Sequence, residues 1–469
     1  MADDHAAHAI GAYGSRINAT PSIDRLATEG MRFDACFCTN SICSPSRATI
    51  LTGTYNHVNG VTTLSTPFDG RQTTFPGLLR EAGYQTALIG KWHLGHGGIH
   101  DPTDFDHWTV LPDQGEYHDP TFLEPGEREV VRPGYATDVI TDLAFDWIDE
   151  RDPDRPFLVM VQHKAPHRSW EPAPRHATLY RDEPIPEPAT LRDDHLGRST
   201  AAVEARMRLW DLGEEDLKGL VPPGLATDEE LRWRYQRFIA DYLRCVAALD
   251  ENVGRVLDHL DARGLADDTV VVYTSDQGFF LGDHGWFDKR FMYEESIRMP
   301  LLVRYPRLVP RGSTSDAIVL NVDFAQTFLE LAGVEAPQNM QGRSLVPLLR
   351  GDAVDDWRTS MYYRYWMHLD GSHGVPAHRG VRTHRHKLVH YYGEGLDQPG
   401  ASTETRPEEW ELFDLRADPF ELTDLHADPA HAELVAELKA ELRRLSDEVG
   451  DTAPEADPRR VPVRSQEVS

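Results

Sequence analysis

Three apolar runs, residues 84–89, 156–162 and 269–274, read as strands and constrain the architecture of this chain more than any other feature. Between them lie stretches of helical periodicity. Residues 137–148 place Val139, Ile140, Leu143, Ala144 and Ile148 on one face, and residues 228–261 carry Tyr235, Phe238, Ile239, Tyr242, Val246, Leu249, Val253 and Leu257 along one stripe. Strands alternating with helices predict an α/β sheet whose ligands collect outside the carboxyl ends of the strands. Polar side chains follow each run: Lys91 and His93 after the first, Lys164 and His167 after the second, Asp276 and Gln277 after the third.

Thr20-Pro21-Ser22 opens an amphipathic helix with Ile23, Leu26 and Ala27 on one face and Ser22 as its candidate cap. Residues 46–51 predict the start of a helix that aims N–H groups at position 43, which favours an anion there. Residues 183–227 are polar, proline-rich and acidic, and predict an irregular insertion over the site. Near residue 350 the pattern changes. Residues 361–366, 380–383, 387–392 and 408–415 read as strands of a smaller sheet, and 432–449 as a charged amphipathic helix. The expected division is a main domain over 1–350, a C-terminal subdomain over 351–449, and a polar tail over 450–469 whose composition predicts disorder.

With 40% hydrophobic and 27% charged residues, the composition is that of a soluble globular protein. The net charge of -29 argues against nucleic acid, whose phosphates need a basic face, and requires a locally basic pocket for any anionic substrate. No run of about 18 apolar residues is present, so no membrane span is expected. The four cysteines, Cys36, Cys38, Cys43 and Cys245, have neither zinc-like spacing nor the density of a disulfide framework.

The most specific run is Cys43-Ser44-Pro45-Ser46-Arg47-Ala48-Thr49-Ile50-Leu51-Thr52-Gly53. A second is Gly83-Tyr84-Gln85-Thr86-Ala87-Leu88-Ile89-Gly90-Lys91-Trp92-His93. They resemble the two signatures of the type I sulfatases, C-x-P-S-R followed by L-T-G, and G-Y-x-T-x-x-x-G-K-x-H. The resemblance implies an alkaline-phosphatase-like fold: an α/β domain with a large mixed sheet flanked by helices, and a smaller C-terminal α+β subdomain with an antiparallel sheet. It also implies that a formylglycine-generating enzyme, or an anaerobic sulfatase-maturating enzyme, converts Cys43 into formylglycine. The aldehyde hydrates to a diol; one hydroxyl attacks sulfur and the other expels the sulfate, through a covalent sulfo-enzyme intermediate.

By the same resemblance Asp3, Asp4, Asp276, Gln277 and the modified Cys43 hold a metal ion. Three carboxylates favour Ca²⁺ over Mg²⁺, which keeps its waters. Gln277 stands where the family often has Asn, a longer arm for the same amide oxygen. Arg47 holds the formylglycine, Lys91 contacts it and the sulfate, and His93 is the base for the second step. His167 contacts sulfate, and Lys289 binds it and steadies the leaving oxygen; either His167 or Lys289 protonates the leaving alcohol. Asp276 is the candidate to deprotonate the attacking hydroxyl.

In that family the Asp-Asp pair ends a buried apolar strand, whereas here only Met1 and Ala2 precede Asp3. The expectation is a missing first strand, with an upstream segment that includes any secretory signal; the default compartment is the cytoplasm, with export left open. Residues 2–14, 164–172, 287–300 and 338–349 resemble bacterial sulfatases acting on N-acetylglucosamine 6-sulfate, mucin or glycosaminoglycan sugars. Candidate sugar contacts are Arg168, Trp170 as a stacking platform, and His378 and Arg379 in a loop over the pocket. Two alternatives stand beside this reading: a phosphonate or phosphodiester hydrolase of the same superfamily, and a non-catalytic binder of sulfated glycans with Cys43 unmodified.

Overall fold

The structure is a computed structural model that describes residues 1–126 and 128–452. Strands β1 (Met31–Phe33), β2 (Gln85–Lys91), β3 (His107–Leu111), β4 (Thr121–Glu124), β5 (Arg128–Val131) and β6 (Phe157–Gln162) come first in the chain. Strands β7 (Val271–Thr274), β8 (Leu301–Arg304) and β9 (Ser313–Ser315) follow much later. They form two sheets, ordered β5-β4-β3-β2-β6 and β9-β1-β8-β7. In the first, β2 runs parallel to β3 and β6, and the outer pairs are antiparallel. In the second, β8 is antiparallel to β1 and β7.

Met1 and Ala2 join the facing edges of the two sheets. The amino group of Met1 donates to the Val161 carbonyl at 2.7 Å, and Ala2 N–H to the Thr274 carbonyl at 2.9 Å. The expected large mixed sheet is therefore built as two sheets linked through these residues, and Asp3 and Asp4 follow at once. The sequence did not flag β1, β3, β4, β5, β8 or β9.

The principal helices are α1 (Pro21–Glu29), α2 (Cys43–Thr52), α3 (Ala136–Glu150) and α4 (Thr227–Ala262). Ile140 and Ala144 of α3 pack on Ile89 of β2, Leu111 and Phe122, which accounts for the apolar period read there. The start of α1 differs from expectation. Ser22 does not cap it; the Asp250 carboxylate of α4 accepts from the backbone N–H groups of Ser22 and Ile23 at 3.2 and 2.8 Å. A partner distant in sequence thus does the work of a local cap. Helix α2 begins at Cys43 itself, three residues earlier than expected, with Pro45 in its first turn, where a missing N–H costs nothing.

The C-terminal part is an antiparallel sheet of β10 (Ser360–Tyr365), β11 (His378–Thr383), β12 (His386–Tyr391) and β13 (Glu409–Asp414), in that order. Helix α5 (Ala432–Val449) covers it with Val435, Leu438, Leu442 and Leu445. Of the expected tail, residues 453–469 lie outside the described residues. No helix among the described residues is long and apolar enough to cross a membrane.

Candidate active site

The ends of the parallel strands converge on Cys43. Asp3 and Asp4 follow the bridging residues, Lys91 closes β2, and Asp276 and Gln277 follow β7. Cys43 is the first residue of α2, so the amino end of that helix faces the group it carries. Its Sγ lies 3.5 Å from Asp3 Oδ1 and 3.8 Å from Gln277 Nε2.

Oxygens of Asp3, Asp4 and Asp276 all lie within 4.8 Å of one another. All three residues are completely buried, and Gln277 Oε1 is buried with no hydrogen-bond partner among the described residues. Burial, with the neighbouring carboxylates, pushes Asp4 up to about 7 and Asp276 up to about 6. Asp3 is held well below the carboxylate range despite its burial, because the Lys91 ammonium contacts it. Packed hard oxygens with an orphaned amide oxygen are a donor set suited to a divalent cation.

Three cations, Arg47, Lys91 and Lys289, and the imidazole of His167 surround the acids. Arg47 donates through Nε to Asp276 Oδ2 at 3.1 Å, and through Nη1 to the Lys91 carbonyl at 2.8 Å and to Gln162 Oε1 at 2.5 Å. Lys289 Nζ lies 2.7 Å from Asp4. His167 Nε2 is 3.7 Å from Asp4, while its Nδ1 side bonds the Arg168 carbonyl at 2.6 Å. Burial and the Lys91 charge hold both His93 and His167 well below the usual histidine range, so each is a neutral imidazole.

Several of these residues hold left-handed backbone: Asp4 at φ 64°, His93 at 56°, Asp288 at 77° and Arg290 at 87°. Such conformations cost about 1–3 kcal/mol each and persist only where surrounding contacts impose them. Gly90, in the second motif, has φ 107°, and a Cβ there would lie 2.0 Å from the Gln162 carbonyl oxygen of β6. Gly90→Ala therefore forces β2 and β6 apart beside Lys91. The expected cost is about 3 kcal/mol or more, read as a lower Tm, with a parallel fall in kcat/KM.

The proposed sugar contacts need correction. Trp170 is fully buried, its ring edge-on to Phe238, Phe279 and Phe287 at 4.6, 6.4 and 6.5 Å, so core packing takes the faces a sugar would need. His378 is not in a loop: it opens β11, is completely buried, and packs among Tyr363, Tyr365 and Tyr391. Arg379 is the next residue of that strand and is also buried. The Arg168 guanidinium is engaged by the Asp216 carboxylate at 2.6 and 2.7 Å.

Other residues at the site carried no recognised signal. Gln114, in the turn between β3 and β4, contacts both Lys91 and His93. Asp288 and Arg290 flank Lys289, and both contact His373, which arrives from the C-terminal part. The run Asp288-Lys289-Arg290, three charges in a buried hairpin end, was the available clue. The 183–227 insertion reaches this wall, with Arg206 N–H donating to the His373 carbonyl at 2.7 Å.

Comparison with known proteins decides the family. The model of the family "Sulfatase" matches residues 1–334. The chain belongs to the sulfatase family. A second model, "N-sulphoglucosamine sulphohydrolase, C-terminal", matches residues 282–448 of the sulfatase. It is 44% identical to the N-acetylglucosamine-6-O-sulfatase of Bacteroides thetaiotaomicron, over 97% of this chain and 87% of that one. It is 29% identical to the human N-acetylglucosamine-6-sulfatase, over 72% of this chain and 61% of the human one. A solved structure in complex with its substrate, D-glucosamine-2-N,6-O-disulfate, superposes with a TM-score of 0.91 at 42% identity, covering 97% of this chain and 98% of that one. The sulfatase also shares its fold with a phosphonate monoester hydrolase from Silicibacter pomeroyi, at 22% identity and a TM-score of 0.74 over 95% of this chain and 94% of that one. It is a sulfuric ester hydrolase with an alkaline-phosphatase-like fold.

Proposed function

We propose that this sulfatase removes the 6-O-sulfate from a glucosamine-type sugar, using a formylglycine made from Cys43 and a Ca²⁺ ion. One observation supports the chemistry most: Cys43 stands at the amino end of α2, in a ring of three buried carboxylates and the cations Arg47, Lys91 and Lys289. Burial pushes the Cys43 thiol well above its usual value, so an unmodified cysteine here is neutral and a poor nucleophile. Hydrated formylglycine would supply two hydroxyls on one carbon, one to attack sulfur and one to expel sulfate. Asp3, Asp4, Asp276 and Gln277 would hold the cation, which when bound polarises oxygen and offsets the carboxylate charge. Lys91 and Lys289 bind the sulfate oxygens, His93 takes a proton when sulfate leaves, and Lys289 protonates the leaving alcohol, since the neutral His167 keeps its proton on Nδ1 against the Arg168 carbonyl.

The sugar reading is supported by the 44% identical relative and by the polar wall beside Lys289. Asp288 Oδ2 lies 3.4 Å from His373 Nε2, and Arg290 Nη2 lies 3.3 Å from the same nitrogen. The Asp370 carboxylate orients His373 by accepting from its backbone N–H at 3.1 Å and meeting its ring Nδ1 at 2.8 Å. Such a mixture of donors and acceptors suits sugar hydroxyls. His373→Ala should raise KM about 10-fold with little change in kcat, the signature of lost ground-state binding, measured on N-acetylglucosamine 6-sulfate. The test of the whole reading is kcat/KM on that sugar against matched phosphate and phosphonate esters. A preference for the sulfate ester is expected, and faster phosphonate turnover would overturn it.

A further inference from the structure

Asp3 and Asp4 are neighbours in the chain, yet oxygens of both lie within 4.8 Å of one another and of Asp276. In extended backbone successive side chains point to opposite sides. The φ of 64° at Asp4 breaks that alternation. A residue with a Cβ resists left-handed backbone, so contacts from elsewhere must hold this turn. Asp3 N–H donates to the Ala165 carbonyl at 3.3 Å, His5 N–H to Ser275 Oγ at 2.9 Å, and Asp4 N–H to Asp276 Oδ1 at 3.2 Å. The last partner is itself one of the acids. Tyr242, on α4, holds the turn without belonging to the acid cluster. Its hydroxyl donates to the Asp4 carbonyl at 2.8 Å and accepts from the Ala6 N–H at 2.9 Å. One hydroxyl proton and one lone pair fill both roles without conflict. The phenol is completely buried and its ring stacks on Phe279 at 5.7 Å, so packing fixes where the oxygen sits.

We propose that Tyr242 is a positioning residue for the cation site: its hydroxyl clamps the backbone on either side of His5 and keeps the Asp4 turn in shape for the ion before the ion arrives. The proposal rests on the reading of Asp3, Asp4, Asp276 and Gln277 as the ligands. Carboxylates this close repel one another when no cation lies between them. The clamp acts on backbone groups, so it holds whatever the charge on those side chains. Without the hydroxyl, the Asp4 carbonyl and the Ala6 N–H each lose this partner in a buried place, and the ion-free turn relaxes toward backbone that satisfies them. Binding must then draw the turn back, and affinity falls.

The test uses the full chain, stripped of metal by a chelator, as the wild type, Tyr242→Phe and Tyr235→Phe. Tyr242→Phe removes one oxygen and keeps the ring. Tyr235, on the same stripe of α4, donates to the Pro186 carbonyl at 2.6 Å, so Tyr235→Phe is the control for losing a buried hydrogen bond away from the acids. Competition with a chromophoric Ca²⁺ chelator gives the dissociation constant. Tyr242→Phe should raise it about 10-fold, with kcat at saturating Ca²⁺ within about threefold of the wild type. Tyr235→Phe should lower Tm but leave the dissociation constant within about twofold. In the wild type, hydrogen exchange of the segment 1–10 should stay slow when Ca²⁺ is removed. An unchanged dissociation constant in Tyr242→Phe, an equal rise in Tyr235→Phe, or fast exchange in the ion-free wild type would each overturn the proposal. A wild type that binds no Ca²⁺ would instead remove the cation reading, and the positioning role with it.

Discussion

Cys43→Ala is expected to abolish sulfate release, with kcat down about 10⁴-fold or more, the scale seen when a nucleophile is removed from a covalent mechanism. The fold should survive. Position 43 lies in the first turn of α2, where alanine is a good helix former, and the lost contacts are those of one sulfur atom, about 1–2 kcal/mol. Sugar binding should persist as well, since the Lys289 wall and Lys91 are untouched. Isothermal titration of the variant with N-acetylglucosamine 6-sulfate should therefore show binding without turnover. Measurable turnover by Cys43→Ala would mean that the nucleophile lies elsewhere.

Removing the cation should be nearly as severe. Asp3, Asp4 and Asp276 are buried together with Lys91, Lys289 and Arg47, and burial already drives Asp4 and Asp276 toward protonation. A bound divalent cation would reverse that and keep the carboxylates ionised. Chelation should lower kcat by at least about 10²-fold, with recovery on adding Ca²⁺ and weaker recovery with Mg²⁺. The fold should report it too: at about 100 times the dissociation constant a bound ion adds roughly 2.7 kcal/mol, so Tm should rise with Ca²⁺ concentration. Full activity in a preparation shown to be metal-free would contradict the assignment of these four residues.

Much of this was legible in the sequence because the elements carrying the site have local signals. Residues 269–274 are an unbroken β-branched and aromatic run, and α4 shows its stripe over about six turns; both lie where expected, within two residues. The missed strands are those without such a signal. β1 has three residues, and β8, Leu301–Arg304, is a short apolar run between prolines that periodicity alone does not assign.

Trp170 and His378 show a different limit. Irregular backbone is found as expected at Trp170, whereas His378, expected in a loop, opens a strand; in both cases aromatic partners distant in sequence turn the ring into the core. Gln114 and His373 show the converse. Nothing local marks them, and they join the site only because folding brings Gln114 to Lys91 and His373 to Asp288. The motif residues are readable because one strand end or one helix turn presents them. The second layer that orients them comes from other elements.

The central claim is that residue 43 works as formylglycine, and mass spectrometry of the tryptic peptide ending at Arg47 tests it most directly. The protein should be made in a host that matures sulfatases, and its turnover measured on the same preparation. The account predicts a peptide lighter by the difference between a –CH₂SH side chain and an aldehyde, in a proportion that tracks specific activity. A preparation with full sulfatase activity whose peptide carries only the cysteine thiol would contradict it.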